Sequence, residues 1–362
     1  MDRAKRVLRS EGRAARISDV ATAAGVSTAT VSRALAFPDR VSEATRLRVL
    51  EAVRELNYTP NEAARALRVG ATRMILVISP YLYSGAFFNG VINGLDAELA
   101  SAGYTMIVGS VDGPIEKARR LVDLVYSRQL DGVVVLTGVD PVVEGRSLLD
   151  AEIPIVSICS PMSKPSVPAV LIDDEECARK QFRHLFALGH RRFVYLSGAD
   201  QHYSEIVRYR GVRKEARASG LGEADVIRLA GLYTLESGAE AGRRYLQLAD
   251  RPTGIVCASD EMAIGFIKTV SEAGLRVPRD LSVVGFDGIP FTRYYEPSLT
   301  TIVQPQAALG ARGAEALLTL IRDPLALPTP RIGLRGELRI GGSTGPAPPA
   351  AVHRQRQALL SS

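Results

Sequence analysis

From Arg73 onward the chain repeats one rhythm: a short apolar run, then a longer stretch with apolar residues on one face only. MILVIS (74–79), GYTMIVGS (103–110), DGVVVLTG (131–138) and IPIVSIC (153–159) are runs of this kind, separated by helical patterns that end near Ala102 and Arg128. A second series opens after Asp173 with a helix to Leu188. LGHRRFVYLSG (188–198), a helix around Gly211–Ala218, ADVIRLAG (224–231), a helix around Ser237–Leu248, GIVCAS (254–259), a helix to Ala273 and DLSVVGFD (280–287) follow. Short strands apolar on both faces, alternating with helices, predict two doubly wound parallel sheets. The chain crosses between them again near Gln304, so each lobe takes in a later segment.

The first fifth of the chain has a different pattern. Ile17–Ala24 carries Val20, Ala21 and Ala24 on one face, with Ser18 as the expected N-cap and Gly25 as the stop. A left-handed backbone is cheap only for glycine there. Ser27 or Thr28 then caps a second helix whose Val31 and Leu35 repeat at i, i+4. Two short helices crossing sharply need a small residue at the crossing, a glycine in the turn and an aliphatic on the second helix; Ala21, Gly25 and Val31 supply them in that order, as a helix-turn-helix requires. A third helix over Glu43–Leu56, with Leu47, Leu50, Val53 and Leu56 facing the other two, ends at Asn57-Tyr58-Thr59-Pro60 because proline disfavours helix in the residue before it. A short segment capped by Asn61 and ending near Gly70 has no hydrophobic stripe, and is expected to order only against DNA or a twin copy.

Charge sharpens this division. Residues 1–72 hold 13 Lys+Arg and 8 Asp+Glu, whereas the other 290 hold 32 and 31. On charge alone, a compact basic head on a nearly neutral body suits either a polyanionic partner or a solvated basic tail. No apolar run reaches the roughly 18 residues that span a bilayer, and no signal-type stretch follows the basic N-terminus, so a cytoplasmic protein is expected. Three separated cysteines, Cys159, Cys177 and Cys257, form neither a zinc motif nor a disulfide framework.

The run from Ile17 to Leu67, with DVA…AGVS…TVSRAL and the NYTPN…A..L hinge, resembles the lactose-repressor (LacI/galactose-repressor) family of transcriptional regulators without a gap. The resemblance implies a small all-α helix-turn-helix head on an α/β body of two doubly wound parallel-sheet lobes, like periplasmic sugar-binding proteins. It implies domains of 17–60 for the head, 61–72 for a hinge helix and linker, and 73–345 for an effector-binding and dimerisation body. The N-lobe would take about 73–173 and 304–331, and the C-lobe about 174–303 and 332–345. A basic extension (1–16) and a Pro/Ala-rich tail (346–362) are expected to be disordered. Thr28, Ala29 and Arg33 would face bases, with Arg33 offering a bidentate pair to guanine. Ser27, Thr30, Ser32 and Tyr58 match phosphate-holding positions. In the hinge, Leu67 matches a leucine that wedges into the minor groove, flanked by Ala64 and Arg68, with Asn61 opening the segment. Alone, Leu67 would read as a small local hydrophobic contact.

Ligands of such bodies bind between the lobes, just beyond the strand ends. Phe87, Phe88, Ser204, Arg208, Tyr233, Ser259, Asp260 and Asp287 stand at those ends and match effector-contacting positions. Asp260 has a rival role as cap of the helix that follows. Cys159 stands where relatives usually place an aspartate, and Gly288 where a second acid is common. With the aromatic loop from Tyr81, these departures point to an effector bulkier or less hydroxylated than a simple hexose. The resemblance thus implies a homodimeric repressor on a near-palindromic double-stranded DNA operator, controlled by a sugar-like small molecule, with no cofactor, metal or membrane partner. Two other readings fare worse. A transport solute-binding protein would carry an export signal and lack the head. A sugar-modifying enzyme needs a base, nucleophile or metal set, and none is visible; Gly341-Gly-Ser343-Thr-Gly345 fits GxSxG but is followed by Pro346 instead of a helix.

Overall fold

A computed structural model describes residues 15–59, 71–80, 85–111, 113–326 and 329–349. The chain divides into two compact units, Met1–Thr72 and Arg73–Ser362.

In the first unit, α1 (Ile17–Ala24), α2 (Thr28–Ala36) and α3 (Glu43–Glu55) enclose a core of Val20, Ala21, Ala24, Val31, Ala34, Val49 and Ala52. These side chains are small, so the three helices approach closely with few atoms buried. Gly25 ends α1 at φ 66°, and the turn closes through Val26 N donating to Ala21 O at 3.0 Å. Ser27 caps α2, accepting from Thr30 N at 3.1 Å. Two expectations need correction. Ser18 lies inside α1, which instead starts after Arg16, whose N–H donates to Asp19 Oδ2 at 2.8 Å. In α3 the buried stripe runs through Val49 and Ala52 with Val53 and Leu56 packed against it, while Leu47 is 56% exposed.

In the second unit one six-stranded sheet has the order β13-β7-β6-β3-β1-β2, all neighbours parallel. Its strands are β1 (Met74–Ile78), β2 (Thr105–Gly109), β3 (Gly132–Val135), β6 (Ile155–Ile158), β7 (Ala169–Ile172) and β13 (Arg331–Leu334). Helices α4 (Ala86–Ser101) and α5 (Ile115–Tyr126) connect its first strands, and β4 (Val142–Val143) with β5 (Arg146–Ser147) form a small antiparallel ribbon.

The other sheet has the order β14-β12-β11-β10-β8-β9. It contains β8 (Phe193–Ser197), β9 (Val226–Ala230), β10 (Gly254–Cys257), β11 (Ser282–Asp287), β12 (Thr300–Val303) and β14 (Glu337–Arg339), the last antiparallel to β12. Helices α6 (Asp174–Ala187), α7 (Tyr203–Ala218), α8 (Leu235–Leu246) and α9 (Asp260–Glu272) flank it. After β12 the chain passes to the first lobe as α10 (Gln306–Arg322), which packs on α4, β3 and β6.

The central strands are buried on both faces, as helices on either side demand. Three further corrections follow. β7 is a strand that the apolar pattern left unassigned. α7 begins at Tyr203, two turns before Gly211. The last return to the second lobe falls after Leu334, since β13 pairs with β7 in the first sheet.

Candidate functional site

The head presents one face of α2 to solvent. Val31 and Ala34 turn into the core, leaving Ser27, Thr28, Ala29 and Arg33 exposed and Thr30 and Ser32 half-buried. The Ser27 cap binds its own helix twice: its oxygen takes the Thr30 N–H, and its hydroxyl lies 2.9 Å from Thr30 Oγ1. The N-terminus of α2 is thereby stiffened without a bulky side chain over it, and peptide N–H groups at such an end favour anions. Tyr58 is half-buried against the head core. Asn61, Ala64, Leu67 and Arg68 lie outside the described residues, as do the two terminal extensions and Tyr81–Ser84 of the aromatic loop.

In the body a cleft of about 1240 Å³, counting its open mouth, lies where strand ends of both sheets meet. Phe87, Phe88, Cys159, Ser204, Arg208, Tyr233, Ser259 and Asp287 all line it. Phe87 and Phe88 lie edge to face, ring centroids 5.0 Å apart, on the first turn of α4. Opposite them in the second lobe, His202 and Tyr233 are near parallel, at 11° and 5.8 Å.

Arg208 is committed before any ligand arrives. Its Nε donates to Asp174 Oδ1 at 2.7 Å, its Nη1 to Ala258 O at 2.7 Å, and its guanidinium lies 3.6 Å from the Phe286 ring centroid. Burial alone would pull the guanidinium's pKa down, but Asp174 and Asp287 outweigh it and hold the charge. Burial drives Asp174 up, with Arg208 opposing. Asp287, which accepts from Gln304 Nε2 at 2.8 Å, is pushed up to about 7 by its burial against the pull of Arg208. The Cys159 thiol is likewise driven upward by burial and by Asp174, so it lines the cleft as an uncharged group.

Backbone strain gathers here. Of the seven described non-glycine residues with left-handed φ, three line the cleft: Cys159 (φ 69°), Tyr233 (φ 64°) and Asp287 (φ 119°). Such conformations cost roughly 1–3 kcal/mol each and persist where the surroundings enforce them.

Asp260 does not line the cleft. Fully buried, it accepts from Ile289 N at 2.9 Å and from the Thr301 hydroxyl, tying α9 to the strands beside it. The residue after it, Glu261, faces the cleft instead. The sequence reading also missed Asp174, which follows the unassigned β7, and Gln304, which follows β12. Tyr203 and Thr234 were passed over although each adjoins a named residue in sequence, and His202 because only the fold stacks it on Tyr233.

The GxSxG serine is a structural group. Ser343 is fully buried, its Oγ donating to Val283 O at 2.6 Å and accepting from Thr300 N at 2.9 Å. Among the described residues no group of three metal-ligating side chains comes together, and no helix is long and apolar enough to cross a membrane.

Comparison with known proteins accounts for both units. Residues 16–61 match the model of bacterial regulatory proteins, lacI family, and residues 182–344 that of the periplasmic binding protein-like domain. The HTH-type transcriptional repressor CytR of Escherichia coli (strain K12) is 35% identical over 312 residues, covering 85% of this chain and 89% of the relative. The structure of the lac repressor dimer bound to operator and the anti-inducer ONPF superposes with a TM-score of 0.79 at 27% identity, covering 92% of this chain and all of that one. A transcriptional regulator CelR–cellobiose complex gives 0.69 at 28%, covering 91% and 99%. Two units, each matched by its own model, and a repressor sharing a third of its residues along most of the length place the chain in the LacI family of bacterial regulatory proteins, DNA-binding repressors with a ligand-binding domain.

Proposed function

We propose that this protein acts in the cytoplasm as a homodimeric repressor whose paired heads read a near-palindromic operator, and whose hold on DNA is set by a sugar-like metabolite in the cleft. The observation that carries the reading is the amphipathic division of α2, with Thr28, Ala29 and Arg33 exposed opposite buried Val31 and Ala34. A helix of this width fits the major groove, where arginine pairs with the O6 and N7 of guanine. Arg33 then reads a base, Thr28 and Ala29 lie against base edges, and Ser27, Thr30, Ser32 and Tyr58 hold phosphates that fix the register. Leu67, with Asn61, Ala64 and Arg68, is assigned the minor-groove contact on the family resemblance alone.

In the body, Phe87, Phe88 and Tyr233 supply flat apolar faces, while Ser204, Ser259, Asp287 and the Arg208–Asp174 pair supply polar edges. That mixture suits a ring bearing hydroxyl groups. The solved relative holding cellobiose supports a carbohydrate-like effector, and the operator-bound dimer supports the DNA partner and the two-fold assembly. Cys159, an uncharged lining group, favours a less hydroxylated ligand at its edge of the cleft. No turnover of the effector is part of this reading.

A gel shift with the promoter region beside the protein's own gene, at physiological salt against random duplex competitor, tests the DNA role. Equal affinity for both duplexes, with or without added metabolites, rejects it. A thermal-shift panel of sugars, purines and nucleosides then identifies the effector, because a ligand of the native state raises the melting temperature.

A further inference from the structure

Helix α4 begins with a gap in its own capping. Gly85, the residue before it, stands at φ 121° and has no side chain to offer the first turn. The first helical N–H, that of Ala86, donates instead to Glu261 Oε1 at 3.0 Å. Glu261 belongs to the other lobe, in the first turn of α9. It is not needed there as a cap, since Ser259 already accepts from Met262 N at 3.2 Å. The carboxylate therefore sits between two helix N-termini from two lobes, each with a partial positive charge. A hydrogen bond to an ionised acceptor is stronger than a neutral one. Burial raises the Glu261 carboxyl's pKa, and the Ala86 N–H opposes that rise.

The position of this bond gives it a consequence for the cleft. Gly85, Phe87, Phe88, Ser259 and Glu261 all line it. Fixing the N–H of Ala86 fixes the start of α4, and the next two residues are the aromatic wall. By contrast, Gln306 reaches Asp287 O at 3.0 Å from beside the crossover itself, where the lobes are joined by the chain.

We propose that Glu261 is a cross-cleft clamp: a helix cap supplied by one lobe to the other, which sets the degree of closure and holds Phe87 and Phe88 in place. Glu261 is in this sense a positioning residue. What the clamp regulates rests on reading the cleft as the effector site; the clamp itself does not.

Hydrogen–deuterium exchange and small-angle scattering on the full-length protein without ligand test it, using E261A, E261Q and A86P. E261A exchanges at Ala86 roughly tenfold faster than wild type, exchange in segment 199–205 across the cleft also accelerates, and the radius of gyration increases. E261Q keeps an acceptor but loses the charge, and falls between wild type and E261A. A86P removes the donor at a position where proline suits a helix start, and expands the protein as E261A does even if E261A folds poorly. Unchanged exchange at Ala86 in E261A overturns the proposal. So does faster exchange confined to Ala86 with an unchanged radius, which would make Glu261 a local cap only. A promoter gel shift run in parallel separates the two readings: failure to bind there, with the exchange result intact, removes the regulator and leaves the clamp.

Discussion

At the scale of single residues, the functional candidates divide by whether they are free to meet a partner. Arg33 is exposed on α2, and Arg33→Ala is expected to lose about 1–3 kcal/mol of operator binding and relax preference at one base pair. Titration against an operator and its single-base variants checks this; a uniform loss on every sequence would make Arg33 a phosphate contact. Arg208 is the opposite case. Its pairing with Asp174, with side-chain exposures of 8% and 3%, is a buried ion pair, and removing one member strands the other charge. Arg208→Ala is expected to cost about 3–5 kcal/mol of body stability, so a lost effector response in that variant alone says little about ligand contact. The double variant Arg208→Met, Asp174→Asn should regain most of the stability in urea unfolding while the response stays absent. If the response returns with the stability, the pair serves the fold and not the effector.

At the scale of elements, legibility followed the hydrophobic effect. Strands such as β1, β3 and β10 read directly, because a core sheet covered on both faces leaves no polar position inside them. The turn at Gly25 read directly for a conformational reason, its positive φ. α7 lost its first two turns to the opposite cause: Glu205 and Arg208 are buried there, so charges occupy positions where the period leads one to look for aliphatics. β7 is only four residues long and gives way at once to the acidic start of α6. In α3, the stripes through Leu47 and through Val49 both pass Val53, and the small core formed by α1 and α2 selects the smaller side chains. Asp260 and Glu261 differ by one helical step, about 100°, which puts one against β11 and β12 and the other in the cleft.

The segment after β14 shows what pattern cannot reach, since polar atoms hold it. His190 bridges Thr253 Oγ1 at 2.8 Å and Gly345 O at 3.2 Å, and Ser282 exchanges hydrogen bonds with Gly345 at 3.0 Å. Burial lowers the His190 pKa from 6.5 to about 4. The unfolded chain takes up that proton below about pH 6.5 and the folded one only near pH 4. The contribution is therefore complete above pH 6.5 and lost as the pH falls toward 4, up to about 3 kcal/mol. Urea unfolding of wild type and His190→Gln between pH 7.5 and 4.5 reads it: the gap between the two should narrow with acid, and a constant gap refutes the assignment.

At the scale of the whole molecule, the two units differ most in how they are held together. The head core consists of valines and alanines, with Ile17, Leu35, Val53, Leu56 and Tyr58 packed at its edge. The body buries Phe182, Phe193, Phe266, Phe286, Tyr195 and Tyr245 completely, in clusters that run through both sheets. A small unit buries a smaller share of its surface and is correspondingly marginal. Each unit has a hydrophobic core of its own, so the heat needed to melt one does not have to melt the other. Scanning calorimetry should then resolve two transitions, the head melting first with an enthalpy on the order of 30 kcal/mol, as expected for a unit of its size. Linkage assigns them: a ligand shifts only the transition of the unit whose native state it binds. Operator duplex should raise the lower transition, and an effector found in the thermal-shift panel should raise the upper one. Effector added to the DNA complex should also move the lower transition, because coupling between two sites is reciprocal. Two transitions that each answer only to their own ligand, even in the ternary mixture, would mean that the cleft does not govern the head.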